Sequence, residues 1–112
     1  MYDVMIKNGL VCDGSGSPWT KLDIAIKGDR IVKLAHVIDE PATTMIDATD
    51  LVVAPGFIDT HTHSDLLCTK PEVHQIRVLQ GITTELIGQD GISMAPVSPK
   101  TKHHWQDQMR GI

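Results

Sequence analysis

The 112-residue sequence has only two cysteines, no apolar run long enough to span a bilayer and no surplus of positive charge. Cys12 and Cys68 stand far apart and outside any CxxC pattern, which argues against a disulfide framework and fits free thiols in a cytoplasmic protein. Without an apolar stretch of about 20 residues, a membrane-spanning helix is not expected. Ten scattered basic residues against 14 acidic ones give a formal net charge of −4, so the electrostatic footprint of a nucleic-acid binder is missing. The opening "MYDVMIKNGLV" carries Asp3 and Lys7 inside its apolar stretch and lacks a signal-peptide core, so it reads as mature structure. "GSGSP", residues 14–18, lacks the Gly-Lys-Ser/Thr ending of a phosphate-binding loop and reads as a surface connection.

What is present is the composition of a soluble globular domain, 41% hydrophobic and 21% charged. In "DVMIKNGLVCDG" apolar residues flank Asn8-Gly9, a dipeptide suited to positive φ, which predicts a hairpin there. "LDIAIKGDRIVKLAHV" alternates, with Leu22, Ile24 and Ile26 on one face, and predicts a second hairpin turning at Gly28-Asp29. Short strand-like pieces follow around Met45–Ile46 and Leu51–Ala54, broken by Asp47–Asp50. Residues 1–54 therefore read as small antiparallel β-structure.

From Pro55 the pattern changes. "FIDTHTH" predicts a short strand, "KPEVHQIRVLQ" a helix beginning near Pro71 with Val73, Ile76 and Leu79 at helical spacing, and "ITTELIG" another strand. Gly81 stands where a helix C-cap is wanted. Strand, helix and strand make the βαβ unit of a parallel sheet or barrel. "SPKTKHHWQDQMRGI" predicts a loop entering a helix.

The chemistry concentrates in "GFIDTHTHSD", residues 56–65. In an extended strand Phe57, Asp59, His61 and His63 share one face, and the two histidines are attached about 6 to 7 Å apart, close enough to converge on one cation. A bare HxH in an arbitrary chain is often no more than two polar residues at a strand end, so context has to decide.

That context is the ordered set "APGFIDTHTHSD" followed by "GITTELIGQDGIS", together with the β-rich start and the turn "KGDRI". The chain resembles the beginning of the amidohydrolase superfamily, and within it the N-acyl-D-amino-acid deacylases, or D-aminoacylases. The resemblance implies a β-rich N-terminal sandwich portion over residues 1–54, followed over 55–112 by the first βαβ unit of a (β/α)8 TIM-type barrel. A complete barrel takes about 250 residues, so the chain is expected to be a fragment of a larger one, inactive alone and exposing apolar surface.

The resemblance also implies a divalent metal, zinc in one or two ions, held by His61 and His63. Where D-aminoacylases commonly carry Gly-x-Cys-Gly, this sequence has "GQDG", which puts Asp90 in the position of the third ligand. A carboxylate also ligates zinc but is harder than a thiolate; Asp-Gly is equally a strong turn signal. Asp59 could orient an imidazole, and Asp65 could contact metal or substrate or simply be a solvated loop residue. His36, His74, His103 and His104 are read as surface residues, and Cys68 as a buried or partly buried inert thiol.

The implied function is metal-dependent hydrolysis of a non-peptide amide bond, splitting an N-acyl-D-amino acid into a carboxylate and a D-amino acid. The metal would acidify water and polarise the scissile carbonyl. No general acid or base is identifiable. Two other readings stay open: a cyclic amidohydrolase of the dihydroorotase, hydantoinase or allantoinase kind, and a truncated non-catalytic chain that works only by association. The expected partners are a small-molecule substrate and further copies of the chain in a homo-oligomer.

Overall fold

The computed structural model describes residues 1–66, 71–93 and 95–108. It divides into two compact units, Met1–Pro55 and Gly56–Ile112.

The first unit holds one five-stranded sheet: β1 (Tyr2–Val11), β2 (Thr20–Lys27), β3 (Arg30–Ala35), β4 (Ala42–Asp47) and β5 (Val52–Val53). The order is β3-β2-β1-β4, with β5 also paired to β1. The hairpin between β2 and β3 forms as expected, with Lys27 opposite Arg30 and Gly28 at a φ of 59°. The hairpin expected at Asn8-Gly9 does not form, because β1 runs straight through it. A positive-φ residue serves a β-bulge as well as a turn. Asn8 (φ 63°) lies within the break in the β1–β2 register between Ile6 and Gly9. Its backbone N–H donates to Asp23 Oδ1 (2.9 Å) and its side-chain amide to Asp47 Oδ1 (3.1 Å), tying the bulge to both neighbouring strands.

The wholly antiparallel reading is also corrected. β1 pairs in parallel with β4, from Tyr2 opposite Ala42 to Lys7 opposite Asp47, and then with β5 at Leu10 and Val11. Residues 36–41 cross over after β3 instead of turning back, so β4 runs in the direction of β1. Gly9 sits at the bend, where an added Cβ would lie 2.5 Å from Val53 Cγ2.

The core on one face is small: Met5, Ala25 and Ile38, with Tyr2, Ala35 and Ala42 packed against it. Asp23, 2% exposed, lies beside this cluster. Its carboxylate accepts the backbone N–H groups of Asn8 and Ile38 and stands 2.6 Å from Lys7 Nζ, which in turn donates to Ile38 O. Burial pushes the Asp23 carboxyl up, but the Lys7 ammonium and the two N–H donors outweigh it and hold the group below the ordinary carboxylate value. The other face carries an open apolar cavity of about 320 Å³, lined by Ile6, Ile24, Ile26, Ile31, Leu34 and Val53 among others.

The second unit contains β6 (Phe57–Asp59), α1 (Pro71–Val78), β7 (Ile82–Glu85) and α2 (Lys102–Gln108). β6 and β7 are parallel, with Phe57 opposite Ile82 and Asp59 opposite Glu85, so the expected strand, helix, strand unit is present. α1 begins at Pro71 and is closed by Gly81, whose φ of 83° suits a left-handed cap and whose N–H donates to Val78 O. The strands approach closely at Gly56, where an added Cβ would lie 2.1 Å from Thr83 Oγ1.

β6 is shorter than expected, and the two histidines lie beyond it. Asp59 Oδ1 accepts the backbone N–H of His61 (3.1 Å), a local turn that draws the chain out of the ladder after Asp59. A two-stranded sheet and two short helices leave apolar side chains uncovered. Phe57 and Ile58 are 60% and 65% exposed, and Leu79 is 80% exposed. Among the described residues no helix is long and apolar enough to cross a membrane.

The Asp23 cluster generates a stability prediction. Asp23→Asn leaves Lys7 without its counter-charge and is expected to cost about 3 kcal/mol, the low end for breaking a buried pair because Lys7 is partly exposed. Because the folded-state pKa of Asp23 is lowered, its contribution is complete above the unfolded carboxylate value of about 3.9 and fades as pH falls through the lower folded value. Urea denaturation of both proteins at neutral pH and near pH 3 checks this: the gap between them should narrow in acid.

Candidate metal centre

The site forms where the segments leaving β6 and β7 meet. Parallel pairing brings the C-terminal ends of both strands to one edge of the sheet. The first segment carries Thr60 to Leu66, ending in a 3-10 turn over Ser64–Leu66, and the second carries a 3-10 turn over Gln89–Gly91. Along the first, residues alternate in exposure. His61 and His63 face outward, with side chains 60% and 46% exposed, while Thr62 (5%) and Ser64 (2%) are buried. The two imidazoles meet edge to face with ring centroids 5.5 Å apart. They share a side even though they lie outside the strand that was expected to place them.

Asp90 completes the group. Its Oδ2 lies 3.3 Å from His61 Nε2 and 3.2 Å from His63 Nε2. Donor atoms of the three residues all fall within 4.8 Å of one another. A four-coordinate zinc with bonds of about 2.0 to 2.1 Å separates neighbouring ligand atoms by about 3.3 to 3.4 Å. The observed nitrogen-to-oxygen separations match that edge, and two imidazoles with one carboxylate are a donor set zinc accepts. Asp90 is at the same time the turn residue that Asp-Gly suggests, with φ 54° and ψ 28° between Gly88 and Gly91, both also at positive φ.

The two segments are tied together on both sides of the histidine pair. Gln89 Nε2 donates to Thr60 O (3.2 Å), just before His61. Asp65, just after the pair, accepts the backbone N–H of Gly88 at 2.9 Å. Asp65 is 1% exposed, so it is not a solvated loop residue; it anchors the turn that carries Asp90. Asp59 contacts the main chain of His61 and stands 3.7 Å from Arg77 Nη1.

Four residues that the sequence reading passed over lie beneath the pair. Arg77 on α1 is ion-paired with Glu85 at the end of β7 and donates to Thr62 Oγ1 (3.1 Å). Ser64 Oγ donates to the other oxygen of Glu85 (2.9 Å). The available signal was Glu85 itself, an acid closing an otherwise uncharged strand.

The remaining histidines stand apart. His36 is exposed, with Nδ1 3.1 Å from Lys21 O, and His103 and His104 are exposed on α2. His74 belongs to α1, and its side chain, like the whole of Cys68, lies outside the described residues. Cys12 is half-buried in the first unit.

Comparison with known proteins identifies the family. Residues 44–111 match the model of the amidohydrolase family, and the chain belongs to that family. It is 39% identical over 97 residues to a D-aminoacylase of Alcaligenes xylosoxydans xylosoxydans, covering 87% of this chain and 20% of that protein. A solved D-aminoacylase described with a binuclear metal centre superposes with a TM-score of 0.79 at 37% identity, over 87% of this chain and 20% of the other. The N-acyl-D-glutamate deacylase of Bordetella bronchiseptica, solved with zinc and a phosphonate inhibitor, gives 0.79 at 36% identity over 86% and 20%. The chain thus spans about a fifth of the length of the relatives it matches.

Asp65→Ala removes the buried acceptor of the Gly88 N–H and is expected to destabilise the second unit by about 1 to 3 kcal/mol. Hydrogen exchange followed by NMR provides the check: the Gly88 amide should exchange faster in the variant, with amides of the first unit unchanged.

Proposed function

We propose that the chain forms the first part of a metal-dependent amide hydrolase, with His61, His63 and Asp90 as metal ligands and an N-acyl-D-amino acid as substrate. The observation that carries this reading is the single Asp90 oxygen set 3.2 to 3.3 Å from both imidazole nitrogens. In this reading residues 1–54 are the N-terminal part of a small β-sandwich, and residues 55–112 open a (β/α)8 barrel whose active end is the C-terminal edge of β6 and β7. The relatives with zinc and with a binuclear centre support one or two zinc ions as the cofactor.

When bound, such an ion supplies Lewis acidity toward an amide carbonyl and brings water within reach of ionisation near neutral pH. The contribution of this chain is to present two imidazoles and a carboxylate together. Asp59 holds the main chain of His61, and Asp65 holds the turn that carries Asp90. These two carboxylates serve as supports for the ligand-bearing segments, and neither is assigned proton transfer. Cleavage releases a carboxylate and a free D-amino acid. Matches at similar identity to a D-aminoacylase and to an N-acyl-D-glutamate deacylase leave the side chain of that amino acid to the assay.

The test uses the full-length protein loaded with zinc. Elemental analysis should find one or two ions per chain, and His61→Ala and His63→Ala should each lower the metal content. Each should also cut hydrolysis by at least about 100-fold, beyond the 10- to 100-fold typical of residues that only support a ligand. N-acetyl-D-glutamate and an unbranched N-acetyl-D-amino acid should turn over faster than a hydantoin. A metal-free wild type, or unchanged hydrolysis in both variants, would overturn the assignment; preferential turnover of the hydantoin would move it to the cyclic branch.

A further inference from the structure

We propose that Arg77 and Glu85 are positioning residues that fix the affinity of the metal site by holding the residues between and after its histidines. The proposal rests on the metal reading above. Its basis is the pattern of contacts under residues 61–64. The two side chains that point inward from this segment, Thr62 and Ser64, are 5% and 2% exposed. Each meets one member of a single ion pair: Thr62 Oγ1 accepts from Arg77 Nη1 at 3.1 Å, and Ser64 Oγ donates to Glu85 Oε2 at 2.9 Å. The other Glu85 oxygen pairs with Arg77.

The arrangement forms a closed circuit of segment, helix α1 and strand β7, with His61 and His63 on the opposite side. Asp59 extends it. Its Oδ1 accepts the N–H of His61 and its Oδ2 lies 3.7 Å from Arg77 Nη1. Both histidines are therefore flanked by residues anchored to one guanidinium–carboxylate pair. The pair is itself shielded, with side-chain exposures of 26% for Arg77 and 14% for Glu85. Beyond their contacts with Asp90 and with each other, imidazoles 46% to 60% exposed depend on the anchoring of their main chain for their direction. Residues that orient metal ligands in this way commonly influence affinity about 10- to 100-fold.

The experiment titrates the full-length apoprotein with Co2+ alone, by calorimetry and by visible absorption, and follows thermal unfolding of each apoprotein. Thr62→Val is near-isosteric, leaves the Arg77–Glu85 pair and its contact with Ser64 in place, and removes the hold of Arg77 on the residue between the histidines. It is expected to weaken Co2+ binding several-fold and to change the intensity of the d–d bands. Arg77→Met is expected to weaken binding by about 10-fold or more, and Arg77→Lys to restore part of that loss. If Thr62→Val and Arg77→Met lower only the apoprotein melting temperature and bind Co2+ as wild type does, the pair is structural and the proposal is overturned while the metal site stands. If wild type binds no Co2+, or His61→Ala binds it equally well, the metal reading itself fails. Should Arg77→Met not fold, Thr62→Val decides alone.

Discussion

The site depends on the parallel pairing of β6 with β7. Two strands running the same way finish at the same edge, so the segments that follow them meet without either having to cross the sheet. An antiparallel pair would send His61 and Asp90 to opposite ends. Parallel pairing in turn requires a crossover, and α1 is that crossover, beginning at Pro71 and closed by Gly81. The close approach at Gly56 belongs to the same constraint, since a Cβ there would overlap Thr83 and push the strands apart. Helix, glycines and ligand positions are consequences of one choice of strand direction.

Buried carboxylates do similar work in both units. Asp23 accepts N–H groups from the bulge in β1 and from the crossover at Ile38, and Asp65 accepts the N–H of Gly88. In each case an irregular stretch of backbone would otherwise leave a donor facing the interior, and a side-chain oxygen satisfies it. The Lys7 ammonium offsets the charge in the first unit. Irregular backbone thus has its donors satisfied, as those of the strands are by their ladders.

Much of this was legible in the sequence, and the parts that were not have physical reasons. The turn at Gly28-Asp29, the helix start at Pro71 and the cap at Gly81 follow from local chemistry that nothing distant overrides. The bulge at Asn8-Gly9 was misread because positive φ is common to hairpins and bulges, and only pairing with β4 and β5, some 35 to 45 residues away, selects between them. Parallel pairing of β1 was missed for a related reason: alternation tells which face a residue occupies but not which way its neighbour runs. At the site the pair "HTH" and the "QDG" turn were visible as local signals, and the structure brings them together. Thr62 and Ser64 were not visible as supports, because their partners Arg77 and Glu85 lie on a helix and a strand whose docking no short motif encodes.

The conformation of residue 90 has a consequence for how such a site can change over generations. Its backbone is left-handed, a region where most L-residues are disfavoured and in which Asp, Asn and His are several-fold enriched. The choice of donor at this position is therefore filtered by backbone geometry before any preference of the bound ion is felt. A glutamate would be strained there and would carry its oxygens one methylene too far, whereas aspartate combines a compatible φ with the short reach the imidazoles require. The repertoire of atoms that selection can try at this corner is narrow, confined to short side chains that the turn between Gly88 and Gly91 tolerates.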